Sequence, residues 1–149
     1  MDNSTKLFST TLFSATLKFM ILERLEFLNS KAGKQVKDAS ESIGFSKEHM
    51  TFRIKLPRRF GSTTIAGNIT KDIDNCSVIL HQMKCQNDFI SKTNNFNKDR
   101  ITSIQNYDRR LRGIDTKILI VDVASYLLDD KIDSIYNFFG SGVVYLFIE

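Results

Sequence analysis

Residues 117–124 read Lys117-Ile118-Leu119-Ile120-Val121-Asp122-Val123-Ala124. An apolar run this short and this unbroken predicts a central strand buried on both faces. Downstream, Leu128 to Phe139 suits a helix closed by Gly140, and Val143 to Ile148 is a second apolar strand. Two such strands joined by a helix predict a parallel unit with a right-handed crossover. Upstream, Asp99 to Arg112 reads as a helix that turns Ile101, Ile104 and Leu111 inward and stops at Gly113.

Toward the N-terminus the period changes to two. Met50, Phe52, Ile54 and Leu56 alternate with Thr51, Arg53 and Lys55, a half-buried strand stopped by Pro57. Thr63 to Thr70 is rich in β-branched residues and predicts a second strand, and Ser77 to Cys85 a third. The polar stretch Gln86 to Lys98 reads as a loop, and residues 34–44 as a short helix with Val36, Ala39 and Ile43 on one side. Before these, Phe13, Leu17, Ile21, Leu25 and Leu28, with Phe8, Leu12, Ala15, Phe19 and Leu22 beside them, recur at helical spacing. The expected fold is therefore a single α+β domain over residues 1–149. It has an amphipathic helix over 1–30, a three-stranded antiparallel meander over 50–85 and helix-strand-helix-strand over 99–149. The helices are expected to pack on a mixed sheet.

The composition, 42% hydrophobic and 26% charged with one proline and seven glycines, excludes disordered, collagen-like and low-complexity classes. A chain of 149 residues buries about 68–70% of its unfolded surface, so no disulfide or metal staple is needed. Cys76 and Cys85, set at opposite ends of the third expected strand, would lie roughly 30 Å apart, and both are expected to be free thiols. The run Leu7 to Leu17 is diluted by serine and threonine and interrupted by Lys18, unlike a signal peptide. No stretch of about 20 unbroken apolar residues occurs. The expectation is an intracellular, cytoplasmic protein. Abundant Lys, Asn, Ile and Phe with no Trp fit an AT-rich genome, and a viral accessory or structural protein is the origin this suggests.

Charge is uneven. Of the net +4, residues 30–60 hold eight basic and three acidic side chains, residues 98–117 six and three, and residues 118–149 one and five. Arg53 and Lys55 on one strand, Arg58-Arg59 in its turn, and Arg109, Arg110 and Arg112 at a helix end form the candidate contact set. Together they could neutralise several phosphates, the sequence-independent part of nucleic-acid affinity. The same pattern also describes a solvated strand face and cations suited to a helix C-terminus. No aromatic pair alternates with the basic residues, which disfavours a base-stacking RNA-recognition sheet. The expected partner is nucleic acid, RNA or DNA, or another polyanion.

Other constellations point elsewhere. The order helix, three strands, helix, strand resembles the core of restriction-endonuclease-like metal nucleases, with Asp72 or Asp74 followed by Gln82-Met83-Lys84. That resemblance implies a divalent ion held by the aspartates, with Glu23 or Glu26 as helical carboxylate and Lys84 beside it. Gln82 stands where the family has a Glu, and a neutral amide lacks the charge that hard cations favour. Asp122 sits toward the C-terminal end of a buried strand, where α/β sheets bind ligands, with Asp129, Asp130 and Asp133 as further oxygens for Mg²⁺. His49-Met50-Thr51 resembles one half of the two-histidine phosphodiesterase motif, but His81-Gln82-Met83 lacks the second hydroxyl. Gly33-Lys34 lacks the earlier glycine of a phosphate loop, and no Gly-x-Ser-x-Gly occurs; no cofactor is expected. The N-terminal apolar stripe offers a face for homo-oligomerisation. The expected function is non-enzymatic binding through a basic face. A small metal-dependent nuclease and a protein-interaction or matrix-like assembly module are the alternatives.

Overall fold

The computed structural model describes residues 3–56, 61–81, 86–93, 96–122 and 127–149, with side chains from residue 10 onward. The expected central strand is present as β4 (Ile118–Asp122), every residue of it buried. The helix α7 (Asp129–Phe139) follows, ended by Gly140 at φ +79, a conformation that costs glycine little. The strand β5 (Val144–Ile148) then pairs in parallel with β4, Ile120 opposite Leu146. This C-terminal unit matches the sequence reading.

The meander does not form. Its first segment is a strand, β1 (Thr51–Ile54), and its third is β2 (Cys76–Leu80), but the middle segment is a helix, α4 (Ser62–Asp72). The β-branched residues that suggested a strand also place Ile65, Ala66 and Ile69 one helical turn apart, and all three are fully buried. Burial of that face outweighs local β-propensity. The helix also serves as the crossover that two parallel strands require. The sheet is accordingly all-parallel rather than mixed, in the order β1-β5-β4-β2-β3.

Two further segments differ from expectation. The helix foreseen over 99–112 is replaced by a 3-10 turn (Lys98–Arg100), the short strand β3 (Ile101–Ser103) and the single-turn helix α6 (Tyr107–Arg110). Ile101 and Thr102 are β-branched and fully buried beside β2, which favours the extended chain. The stretch expected as a loop after residue 85 carries α5 (Gln86–Lys92), anchored by buried Phe89, whose ring meets Phe96 edge-on at 6.0 Å. The long helix α1 (Asn3–Asn29) matches its expected end. It is followed by α2 (Lys31–Asp38) and α3 (Ser42–His49) where one short helix was foreseen.

Alternation along the parallel strands divides the core into two layers. Val78, Ile118, Ile120, Val144 and Leu146 face one way, against Ile65 and Ile69 of α4, Phe89 of α5 and Leu17 and Ile21 of α1. Ile79, Leu119, Val121, Tyr145 and Phe147 face the other, against Tyr107 and Leu111 around α6 and Ile132, Ile135 and Tyr136 of α7. The chain is one domain with helices on both faces of five strands. No helix among the described residues is long and apolar enough to cross a membrane.

Candidate functional site

The strand order decides which basic residues act together. β1 is one edge of the sheet and β3 the other, four strand spacings apart, about 19 Å. Arg53 and Lys55 of the β1 edge therefore do not join Arg109, Arg110 and Arg112, which follow β3. Arg58 and Arg59 lie outside the described residues. Between the two edges, on the face where Phe147 and Tyr107 pack, stands α7 with Asp129, Asp130 and Asp133 in its first turns. Among the described residues, one continuous basic face across the sheet is not formed.

At the β1 edge Arg53 and Lys47 are engaged, while Lys55 is exposed. Arg53 Nε donates to Glu149 Oε1 at 3.0 Å, and the guanidinium stands over the Phe147 ring, 5.7 Å from its centroid. Lys47 pairs with Asp133 at 2.7 Å, and that hydrogen-bonded carboxylate holds the ammonium pKa above its ordinary value. Tyr136 meets Thr51 at 2.8 Å, and Thr51 in turn donates to the Ser46 carbonyl at 2.7 Å. Burial pushes the Tyr136 phenol upward. Lys47, Thr51, Arg53, Asp133 and Tyr136 line an open pocket of about 630 Å³ together with Asp129 and Ile132. Its lysine and arginine are balanced by the carboxylates beside them.

The β3 edge is different. Arg109 donates to Asn106 Oδ1 at 3.1 Å, Arg110 to the Lys98 carbonyl at 3.4 Å and Arg112 to the Asp108 carbonyl at 3.3 Å. Every acceptor is a neutral oxygen. Arg100, half-buried, donates to the Asp115 carbonyl at 2.9 Å and to Asn75 Oδ1 at 3.4 Å. Asn75 sits at φ +61, which asparagine tolerates, and its carbonyl accepts from Lys117 N at 2.9 Å. Lys98, Arg100 and Lys117 thus gather with the three arginines along the β3 edge and the amino end of β4. Among the described residues none of these six cations forms an ion pair with a carboxylate. The sequence reading singled out three of them. The other three were visible only as part of the six-to-three basic excess of residues 98–117.

The carboxylates seen in the sequence are scattered. Asp72 ends α4 and is ion-paired with Lys18 of α1, whose hydrogen bond lowers the carboxyl pKa. Asp74 lies in the turn before β2, while Gln82, Met83 and Lys84 fall outside the described residues. The element order behind the nuclease resemblance is not the one the chain adopts. Asp122, 7% exposed, closes the carboxyl end of β4. Asp133 is held by Lys47, and Asp130 Oδ1 accepts from Lys131 N at 2.9 Å. No group of three metal-ligating side chains occurs among the described residues. His49 ends α3 at the amino end of β1, its ring 5.4 Å from Phe45. His81 follows β2 at the opposite end of the parallel sheet, so the two histidines are not partners. Cys76 is a buried free thiol that donates to the Ile73 carbonyl at 3.1 Å, and burial pushes its pKa to about 12. Cys85 lies outside the described residues.

No protein-family model matches the chain, and no curated protein matches it.

Proposed function

We propose that this protein is a non-enzymatic binder of nucleic acid, contacting the phosphate backbone with Arg109, Arg110 and Arg112 and drawing on Lys98, Arg100 and Lys117 around them. The observation that carries the reading is the pairing difference between Arg53 of the β1 edge and the three arginines after β3. Arg53 gives its charge to Glu149, whereas the three arginines after β3 bond only neutral oxygens and are exposed. A guanidinium held by carbonyl or amide oxygens keeps its full charge and further N–H donors for a phosphate. Six cations against Asp99, Asp108 and Asp115 leave a local excess of +3, which steers a polyanion toward this edge.

Recognition of this kind follows the backbone and not the bases. Among the described residues the edge presents no row of aromatic side chains for stacking, since Tyr107 is buried against Phe138 and Phe139. The test is a binding titration with a fluorescent oligonucleotide at several salt concentrations. Binding that weakens steeply with salt and varies little between sequences supports the reading. Absence of binding at low salt removes it.

A further inference from the structure

An open pocket of about 430 Å³ lies between the loop of residues 111–116 and the end of α7, at the amino ends of β4 and β5. Its lining passes from buried Leu111 and Val143 through half-buried Phe138 and Phe139 to exposed Arg112 and Asp115. Every residue of that lining belongs to the described part of the chain. The two phenylalanine rings meet edge-on at 4.8 Å, and Tyr107 packs against both, at 5.4 Å and 6.2 Å. Packing therefore fixes the rings while part of each stays open. The loop is braced as well. Arg100 donates to the Asp115 carbonyl at 2.9 Å, and the Thr116 hydroxyl meets that of Ser77 at 2.7 Å. The pocket is pre-formed, and it is continuous with the cationic edge: Arg112 lines it and Arg100 holds its loop.

We infer that this pocket takes one unstacked base of a single-stranded nucleic acid, an inference that rests on phosphate contact along the β3 edge. The lining suits a flat ring. Every base has a π-face, so stacking on a phenylalanine tolerates any sequence, in keeping with recognition through the backbone. Charge divides the ligand in the same way. The Asp115 carboxylate lines the pocket and repels a phosphate from its interior, while it can accept from a base N–H. Arg112 lines the same pocket, with its Nε on the Asp108 carbonyl, and keeps donors for a phosphate outside. A neutral ring joined to an anionic link is the chemistry of a nucleotide chain. A paired duplex does not offer such a base without paying for unstacking. An aromatic side chain of a protein partner is the poorer occupant, because it would leave the cations around the pocket uncovered.

The test compares three ligands of equal length at one salt concentration: a single-stranded oligonucleotide, the duplex of the same sequence, and a strand in which every residue is abasic. The duplex carries the denser charge, so phosphate attraction alone favours it. The intact single strand is expected to bind about tenfold or more tighter than the abasic strand, and tighter than the duplex. Phe139→Leu keeps an apolar side chain and removes the ring. It should weaken the intact strand about threefold or more and leave the abasic strand unchanged. Should that variant fail to fold, location is read in the wild type by photo-cross-linking a strand that carries 5-iodouracil, with the principal link expected at Phe138 or Phe139. Equal binding of intact and abasic strands overturns the inference and leaves the phosphate reading standing, as does a preference for duplex. Unchanged affinity in a folded Phe139→Leu protein, or a principal cross-link elsewhere, also overturns it. A nucleoside monophosphate that binds as tightly as the strand would give the pocket to a free nucleotide instead. Failure of all three ligands to bind removes both readings together.

Discussion

The Arg53 guanidinium reaches across the β1–β5 ladder to Glu149, its Nε donating to Oε1 at 3.0 Å while the group rests on the Phe147 ring. The most suggestive cation on the first strand is thereby part of a structural seam joining the edge strand to the C-terminal strand. Both partners keep contact with water: the Arg53 side chain is 50% exposed and that of Glu149 24%.

Arg53→Gln is therefore expected to cost little. An ion pair this exposed contributes under about 1 kcal/mol, and oligonucleotide affinity should stay within about twofold of wild type. Urea unfolding and the binding titration check the two halves. A loss of affinity as large as that of Arg110→Gln would place the β1 edge in the binding site.

A second expectation concerns the close approach of α4 and α5. A Cβ built on Gly67 would stand 2.8 Å from Thr93 Cγ2, inside contact distance. Gly67→Ala should destabilise the protein by about 1–3 kcal/mol despite alanine's better helix propensity. Thr93→Ser removes that methyl and keeps the hydroxyl that donates to the Phe89 carbonyl at 2.7 Å. The double variant should recover part of the loss, a coupling measured by a double-mutant cycle in urea. Additive costs would show that the two helices are not in this contact.

The contrast between α4 and the C-terminal unit explains how much of the fold was legible in the sequence. Ile118 to Val121 and Val144–Ile148 are apolar at successive positions, a pattern that only a strand buried on both faces requires. α7 is marked by Gly140 and by aspartates in its first turn. Over residues 63–70 two signals conflict: Thr63, Thr64, Ile65, Ile69 and Thr70 favour a strand, while Ile65, Ala66 and Ile69 share a helix face. The conflict is resolved by contacts with α1 and the sheet, which local pattern does not contain. The candidate site shows the same limit. Arg109, Arg110 and Arg112 were identifiable as exposed cations. Their separation from Arg53 was not, because the crossover through α4 puts β1 on the far edge, and strand order is not written in alternation.

A third expectation follows from the buried Cys76 thiol. Burial raises its pKa from an ordinary 9.0 to about 12 in the folded chain, so the folded state holds this proton more tightly than the unfolded state. The resulting stability is fully present below about pH 9 and is lost as pH rises toward 12. In a Cys85→Ser background, thiol labelling at pH 8 should be negligible in the native protein and complete in urea. Rapid native labelling would contradict the burial of β2.

The central claim is that the cations along the β3 edge, and not those of β1, contact phosphate. The most direct measurement is the salt dependence of oligonucleotide affinity for wild type and for the triple variant Arg109→Gln, Arg110→Gln, Arg112→Gln. These side chains are exposed, so the urea midpoint should hardly move. Affinity should fall for every sequence tested, and the slope of log affinity against log salt should flatten by roughly 0.7 to 0.9 per lost phosphate contact. An unchanged affinity and slope in the triple variant, with wild-type binding intact, would contradict the account.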